Sequence, residues 1–178
     1  MKKVTTAIAT VLSVFAAGAT MSGPMVNPAS AADVNLTQAA NVATAAIARA
    51  TAIGVPMNIA IVDTGGRLKV FAREDGAWKG SIDIAQAKAF TAVAFCNDNG
   101  PVCVNTAQLK PLVQPGQDLF GLISTNRKDG IVAFDGGVTL CSGGSPIGAI
   151  GVSGGSIAQD QDVARTAAVS SGFLCAGQ

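Results

Sequence analysis

The stretch PIGAIGVSGGSIAQ, residues 146–159, decides the fold because it predicts a strand that leads directly into a helix. Residues 146–153 form a mostly apolar run, which is typical of a buried strand. Ser156, with Gln159 three residues later, is a capping box that marks a helix start. Apolar side chains then recur at helical spacing, and we expect this last helix to continue to Leu174.

The glycines of this stretch could serve either a phosphate or close packing. Their spacing does not fit the dinucleotide-binding fingerprint, and no Gly-Lys-Ser/Thr follows them. Asp160 and Asp162 would also repel a phosphate at this helix start. A glycine inside a strand permits close approach of another backbone, a flat ligand or a neighbouring subunit. We therefore expect Gly148 and Gly151 to serve packing or ligand approach.

The rest of the chain predicts helices and β-hairpins rather than parallel βαβ units. Helical spacing over 36–53 and 82–95 predicts two further helices, the first capped by Asn35 and the second by Ser81. Two hairpins are predicted, and they pair 57–63 with 68–74 and 131–134 with 138–141. The predicted fold class is α+β, with an antiparallel sheet of about five strands flanked by helices.

The start of the chain is typical of a secretory signal peptide. Lys2 and Lys3 precede an uncharged apolar run, and an Ala-x-Ala site ends at Ala31. We expect residues 1–31 to be removed and residues 32–178 to form one periplasmic or secreted domain, with no membrane span after cleavage. The nearly balanced charge, 12 Lys+Arg against 11 Asp+Glu, gives no electrostatic case for nucleic acid.

Four cysteines follow the predicted cleavage site, and an even number in an exported protein indicates disulfides. Cys96 and Cys103 bracket a short Asn/Gly/Pro segment, which makes a local pair easy to form. That choice leaves Cys141 to pair with Cys175. We predict no metal site, because no C-x-x-C spacing occurs in the chain.

The sequence contains no histidine and no tyrosine. Nucleophile systems that need histidine, and zinc sites ligated by histidine, are therefore excluded. Chemistry would have to use carboxylates, lysine, arginine, hydroxyl groups or a cofactor. The candidate residues for such chemistry are Asp63, Arg73, Lys88 and Asp160.

Four ordered motifs resemble a known family. They are IAIVDTGGRLKVFAREDGAWKGSIDIAQAKAFTA, PGQDLFGL, GIVAFDGGVTL and PIGAIGVSGGSIAQDQDVA. Together they are similar to the GlcG/HbpS-type haem-binding family, whose domain also forms the C-terminal part of the PduO corrinoid enzymes. The resemblance implies a profilin-like fold, assembly into homo-oligomers that are often octamers, and haem binding.

The resemblance also implies where haem would be held. A PduO-type domain ligates haem through histidine, which this chain lacks, so the ligation expected here is weak. The candidate haem-binding residues are Met57, Lys88, Thr91, Thr106, Gly148 and Gly151.

Two functions stay open on the sequence. The first is an exported oligomer that binds haem or another tetrapyrrole as a carrier, a scavenger or an accessory to a sensor, and not as an enzyme. The alternative is an enzyme or accessory subunit in the oxidation of small carboxylates or alcohols. The enzyme would use the catalytic candidates named above, whereas the accessory subunit would form a stable complex with its partner.

Overall fold

The computed structural model describes residues 33–97, 103–124 and 130–178. The predicted signal peptide and its cleavage site lie outside these residues. Two short 3₁₀ helices, Lys110–Val113 and Leu122–Ser124, accompany the following elements: α1 (Leu36–Ala52), β1 (Asn58–Val62), β2 (Leu68–Arg73), α2 (Ser81–Ala94), α3 (Thr106–Leu109), β3 (Gly137–Ser142), β4 (Ser145–Ser153) and α4 (Ile157–Ser170).

The four strands form one antiparallel sheet in the order β2-β1-β4-β3. Side chains alternate across the sheet, so β1 sends Ile59 and Ile61 to the face covered by α1 and α4. Ala60 and Val62 point to the opposite face, where the alanines of α2 pack on them. The α+β class and the antiparallel sheet are therefore confirmed, with β4 at the centre of the packing.

The predicted strand over 131–134 is wrong, and the sheet has four strands rather than about five. The edge of β3 is occupied by the C-terminal segment, since the Cys141 N–H donates to the Phe173 carbonyl and Leu140 pairs with Leu174. The Val132 N–H instead donates to the Thr91 hydroxyl at 3.0 Å. The segment consequently runs over the α2 side of the molecule without joining the ladder.

The helix ends agree with the capping signals in two of three cases. Asn35 and Ser156 are N-caps with complete capping boxes. Ser81 is not an N-cap, because α2 already begins at this residue and Gly80 precedes it without a side-chain hydrogen bond. Helix α4 ends at Ser170, before Leu174, which is drawn into the contact with β3.

Both predicted disulfides are present in the structure. Cys96 is bonded to Cys103, and Cys141 to Cys175. The second bond fastens the C-terminal segment to β3, the edge strand. Among the described residues, none of the helices has the length and apolar character required to cross a membrane.

Candidate functional site

A buried ion pair lies between α2 and α4. The Lys88 ammonium donates to Asp160 Oδ2 at 2.6 Å and to the Val152 carbonyl at 2.8 Å. The Lys88 side chain is 0% exposed and that of Asp160 is 4% exposed. The Phe134 ring covers the ammonium, with its centroid 4.9 Å away. The sequence-predicted candidates Lys88 and Asp160, 72 positions apart, are thus brought into direct contact.

The Asp160 carboxylate also binds the backbone of the glycine loop, which is the part of the chain considered for phosphate binding. Its Oδ1 accepts hydrogen bonds from the N–H groups of Gly154 at 3.1 Å and Gly155 at 2.9 Å. A phosphate would need these same donors at the start of α4. The chain's own carboxylate uses them, which agrees with the expectation that this loop does not bind phosphate. We call Lys88, Asp160 and the Val152 carbonyl the buried polar cluster.

Two further charged residues, Asp135 and Lys110, lie between the buried polar cluster and the surface. Burial lowers the pKa of Lys88 below its ordinary value, and the hydrogen bond and charge of Asp160 and the charge of Asp135 oppose this effect. Lys110 Nζ lies 3.8 Å from Asp135 Oδ1 and is half exposed. Because substrate cannot reach Lys88 or Asp160 in this arrangement, the pair acts as a link between helices.

The two candidate threonines form hydrogen bonds with the backbone of segment 130–137. Thr91 Oγ1 donates to the Ala87 carbonyl at 2.7 Å and accepts from Val132 N–H at 3.0 Å. Thr106 Oγ1 donates to the Gly137 carbonyl at 3.2 Å and accepts from the same residue's N–H at 2.9 Å. Both threonines are 0% exposed. Their hydroxyl groups therefore serve the protein's own backbone.

The remaining haem-binding candidates also lie inside the molecule. Met57 is 0% exposed and packs in the core shared by α1 and α4. A Cβ at Gly148 would lie 2.3 Å from the Val62 carbonyl oxygen, and one at Gly151 only 2.0 Å from the Ala85 carbonyl oxygen. The expected close approach is confirmed, and its partner is the chain's own backbone.

The other two catalytic candidates lie at opposite ends of the first hairpin. Asp63 organises the turn, because its Oδ1 accepts from the N–H groups of Gly65 and Arg67. Arg73 lies at the open end, where it pairs with Asn58 and donates to the Ala77 carbonyl at 3.2 Å. The structure therefore does not bring Asp63 and Arg73 together, and neither contacts the buried polar cluster.

A surface that sequence reasoning missed lies at the open end of this hairpin. Trp78 is 73% exposed, the most exposed large hydrophobic side chain in the described part of the chain. An open groove of about 530 Å³ is lined by the end of α1, by residues 54–56 and by Arg73, Glu74 and Asp75. The Glu74 carboxylate already accepts hydrogen bonds from the Thr51 hydroxyl and the Met57 N–H. Asn58 donates to the Trp78 carbonyl, while its own buried Oδ1 accepts no hydrogen bond from a described residue.

We call Trp78, Arg73, Lys79 and the groove the Trp78 surface. Arg73 is the last residue of β2, and Trp78 and Lys79 lie in the loop that follows it; all three residues are exposed. Such a set can stack on a flat apolar ligand and pair with its carboxylates. The signal in the sequence was the only tryptophan of the chain, placed next to Lys79.

Comparison with known proteins relates this chain to one family. Residues 34–169 match the family described as haem-degrading HbpS-like proteins. The chain is 40% identical over 136 residues to an uncharacterised 15.0 kDa protein of Citrobacter freundii, covering 76% of this chain and 90% of that protein.

Two solved structures share the fold. The crystal structure of a PduOC–haem complex has a TM-score of 0.69 at 36% identity, covering 78% of this chain and 94% of that chain. The structure of an HbpS double mutant from Streptomyces reticuli has a TM-score of 0.68 at 28% identity, covering 93% of this chain and 98% of that chain.

Proposed function

Because the chain belongs to the HbpS-like family, we propose that it binds haem, or a tetrapyrrole like it, as an exported carrier, scavenger or sensor accessory. The observation that carries the proposal is the similarity to PduOC, which was solved as a haem complex. The buried position of Lys88 and Asp160 favours a binding protein over an enzyme that would use these two groups on a substrate.

The Trp78 surface is the proposed binding face. A tetrapyrrole of the haem type presents a wide apolar ring that gains from stacking on an exposed aromatic side chain. It also carries two propionates, for which Arg73 and Lys79 are suitable cations. In contrast, the candidates inside the fold, such as Met57 and Thr91, are inaccessible to a ligand of this size.

A hemin titration of the purified protein comprising residues 32–178 tests the function and the face together. We expect a saturable Soret change, and we expect Trp78→Ala to weaken the affinity at least fivefold. Leu36→Ala is the control, since Leu36 is a similarly exposed large apolar residue, at 66% exposure, and lies at the start of α1, whereas the groove is lined by the other end of this helix. Absence of any Soret change with the wild-type protein would refute the proposed function. Equal hemin affinities of the two variants would refute the Trp78 surface as the binding site.

We further propose that the protein is exported, cleaved after Ala31 and located in the periplasm or outside the cell. The two disulfides support this location, because such bonds persist in oxidising compartments. Intact mass of the protein from its native host is the direct measurement. Retention of residues 1–31 would contradict the proposal.

We also propose that the protein assembles with itself, up to an octamer as the family resemblance implies. Four exposed apolar side chains in one short segment support a subunit contact, and they are Leu112, Leu119, Phe120 and Ile123. Light scattering should report a smaller assembly for Ile123→Asp than for the wild type. Val169→Asp, which changes an equally exposed side chain on α4, should leave the assembly intact.

A further inference from the structure

The groups that usually ligate haem iron are missing or engaged elsewhere in this chain. Histidine and tyrosine do not occur in the sequence. The four cysteines are paired in two disulfides, so no thiolate is available. Three methionines precede residue 32, and a mature chain that begins there retains only Met57.

Met57 cannot reach a ligand without disruption of the core. It is 0% exposed, and its neighbours include the Gly154–Gly155 loop, where a Cβ on Gly155 would lie 3.0 Å from the Met57 methyl carbon. Its backbone is fixed as well, since the Met57 N–H donates to Glu74 Oε2 at 2.8 Å. Exposing the thioether would require the segment that carries Met57 to move away from the Gly154–Gly155 loop.

Hydroxyl and amine groups, which are weaker ligands of iron, are also engaged in hydrogen bonds within the protein. The Thr91 and Thr106 hydroxyls each donate one hydrogen bond and accept another from the backbone of segment 130–137. The Lys88 ammonium donates to Asp160 and Val152, and a protonated amine has no lone pair to offer iron. An exposed lysine is an ammonium ion at neutral pH and likewise offers iron no lone pair.

From this we infer that the chain binds the tetrapyrrole through the ring and its carboxylates, without a nitrogen or sulfur ligand to the iron, so that metal-free porphyrins are ligands of the same class as haem. The inference rests on the proposed function. In such a complex the iron would retain exchangeable solvent ligands. Affinity would come from apolar area and from the cations that pair with the propionates.

Parallel titrations with hemin and with metal-free protoporphyrin IX test the inference on the protein comprising residues 32–178. We expect the two dissociation constants to agree within tenfold, and a hemin complex whose absorption spectrum is high-spin and shifts on addition of free imidazole. Hemin binding more than tenfold tighter than the metal-free porphyrin, or a low-spin spectrum before imidazole is added, would overturn it. Failure of both ligands to bind would instead refute the proposed function.

A conservative variant tests the role of the sulfur. Met57→Leu preserves the apolar volume of the core and removes the only thioether of the mature chain. The hemin spectrum and affinity should be unchanged in this variant. A spectral shift in Met57→Leu would show that the thioether ligates the iron, which would overturn the inference.

Discussion

Helix α4 carries two aspartates, and each forms an ion pair in different surroundings. Asp160 pairs with Lys88 in the interior, where both side chains are nearly inaccessible. Asp162, two residues later, pairs with Arg49 at 2.7 Å on the surface, with both side chains 40% exposed. Water screens the second pair but not the first, so the same chemistry has different consequences for stability.

Asp160→Asn should therefore destabilise the fold by about 3–5 kcal/mol, because it leaves the Lys88 charge buried without its partner. Asp162→Asn is the matched control and should cost about 1 kcal/mol or less. Chemical denaturation of the two variants measures both values. The double variant Lys88→Met with Asp160→Asn should cost less than the sum of the two single changes, and additive costs would contradict a direct coupling.

The pH dependence of stability should also report on Lys88. Burial lowers the pKa of this amine in the folded state, so between that value and the ordinary lysine value near 10.4 the unfolded chain binds more protons. Stability from this group must then rise with pH across that window and stay constant below it. From pH 7 to pH 10.5, the unfolding free energy of the wild type should therefore rise relative to that of Lys88→Met. A fall relative to that variant would contradict the lowered pKa.

At the scale of elements, the contact between α2 and β4 depends on a missing side chain. Gly151 lies opposite Ala60 and Gly137 in the sheet, and the backbone of α2 passes directly over it. The atoms that a Cβ would meet include the Ala89 nitrogen at 2.4 Å as well as the Ala85 carbonyl. Backbone atoms cannot rotate away as the end of a side chain can, so the helix itself would have to move.

Gly151→Ala should thus destabilise the protein by about 3 kcal/mol, at the upper end of the usual cost of overpacking. Gly80→Ala is the control, since a Cβ at Gly80 would meet no atom within 4 Å. Its effect should stay within about 1 kcal/mol, the range of an N-cap change. Thermal or chemical unfolding measures the change in unfolding free energy of both variants. A change near zero in Gly151→Ala would refute the tight contact between α2 and β4.

At the scale of the whole molecule, the two disulfides constrain chain segments of very different length. Cys96–Cys103 spans 7 positions, whereas Cys141–Cys175 spans 34 and joins β3 to the C-terminal segment past α4. The longer bond removes more conformational freedom from the unfolded chain and also protects the edge of the sheet.

Replacing both members of a pair by serine should show this difference. Loop-closure entropy predicts a loss of about 4 kcal/mol without Cys141–Cys175 and about 2.5 kcal/mol without Cys96–Cys103. Denaturant unfolding of the two double-serine variants under the same buffer measures the losses. The opposite order of stabilities would contradict this account.

The sequence by itself determined most of the elements of this fold. Local signals were sufficient for the capping boxes at Asn35 and Ser156, for the first hairpin and for both disulfides, because each depends on residues close in the chain or on few possible pairings. The same signals failed over 131–134, where an apolar run resembles a strand but β3 is already paired with the C-terminal segment.

Only the tertiary structure decided which candidate residues meet. Lys88 and Asp160 were separate suggestions in the sequence, and the packing of α2 and α4 on opposite faces of β4 makes them one buried pair. Met57, Thr91 and Thr106 read as possible ligands until burial and hydrogen bonding showed that the protein uses them internally. The physical reason is that residue type and spacing specify what a side chain can do, whereas solvent access and competing partners depend on the whole fold.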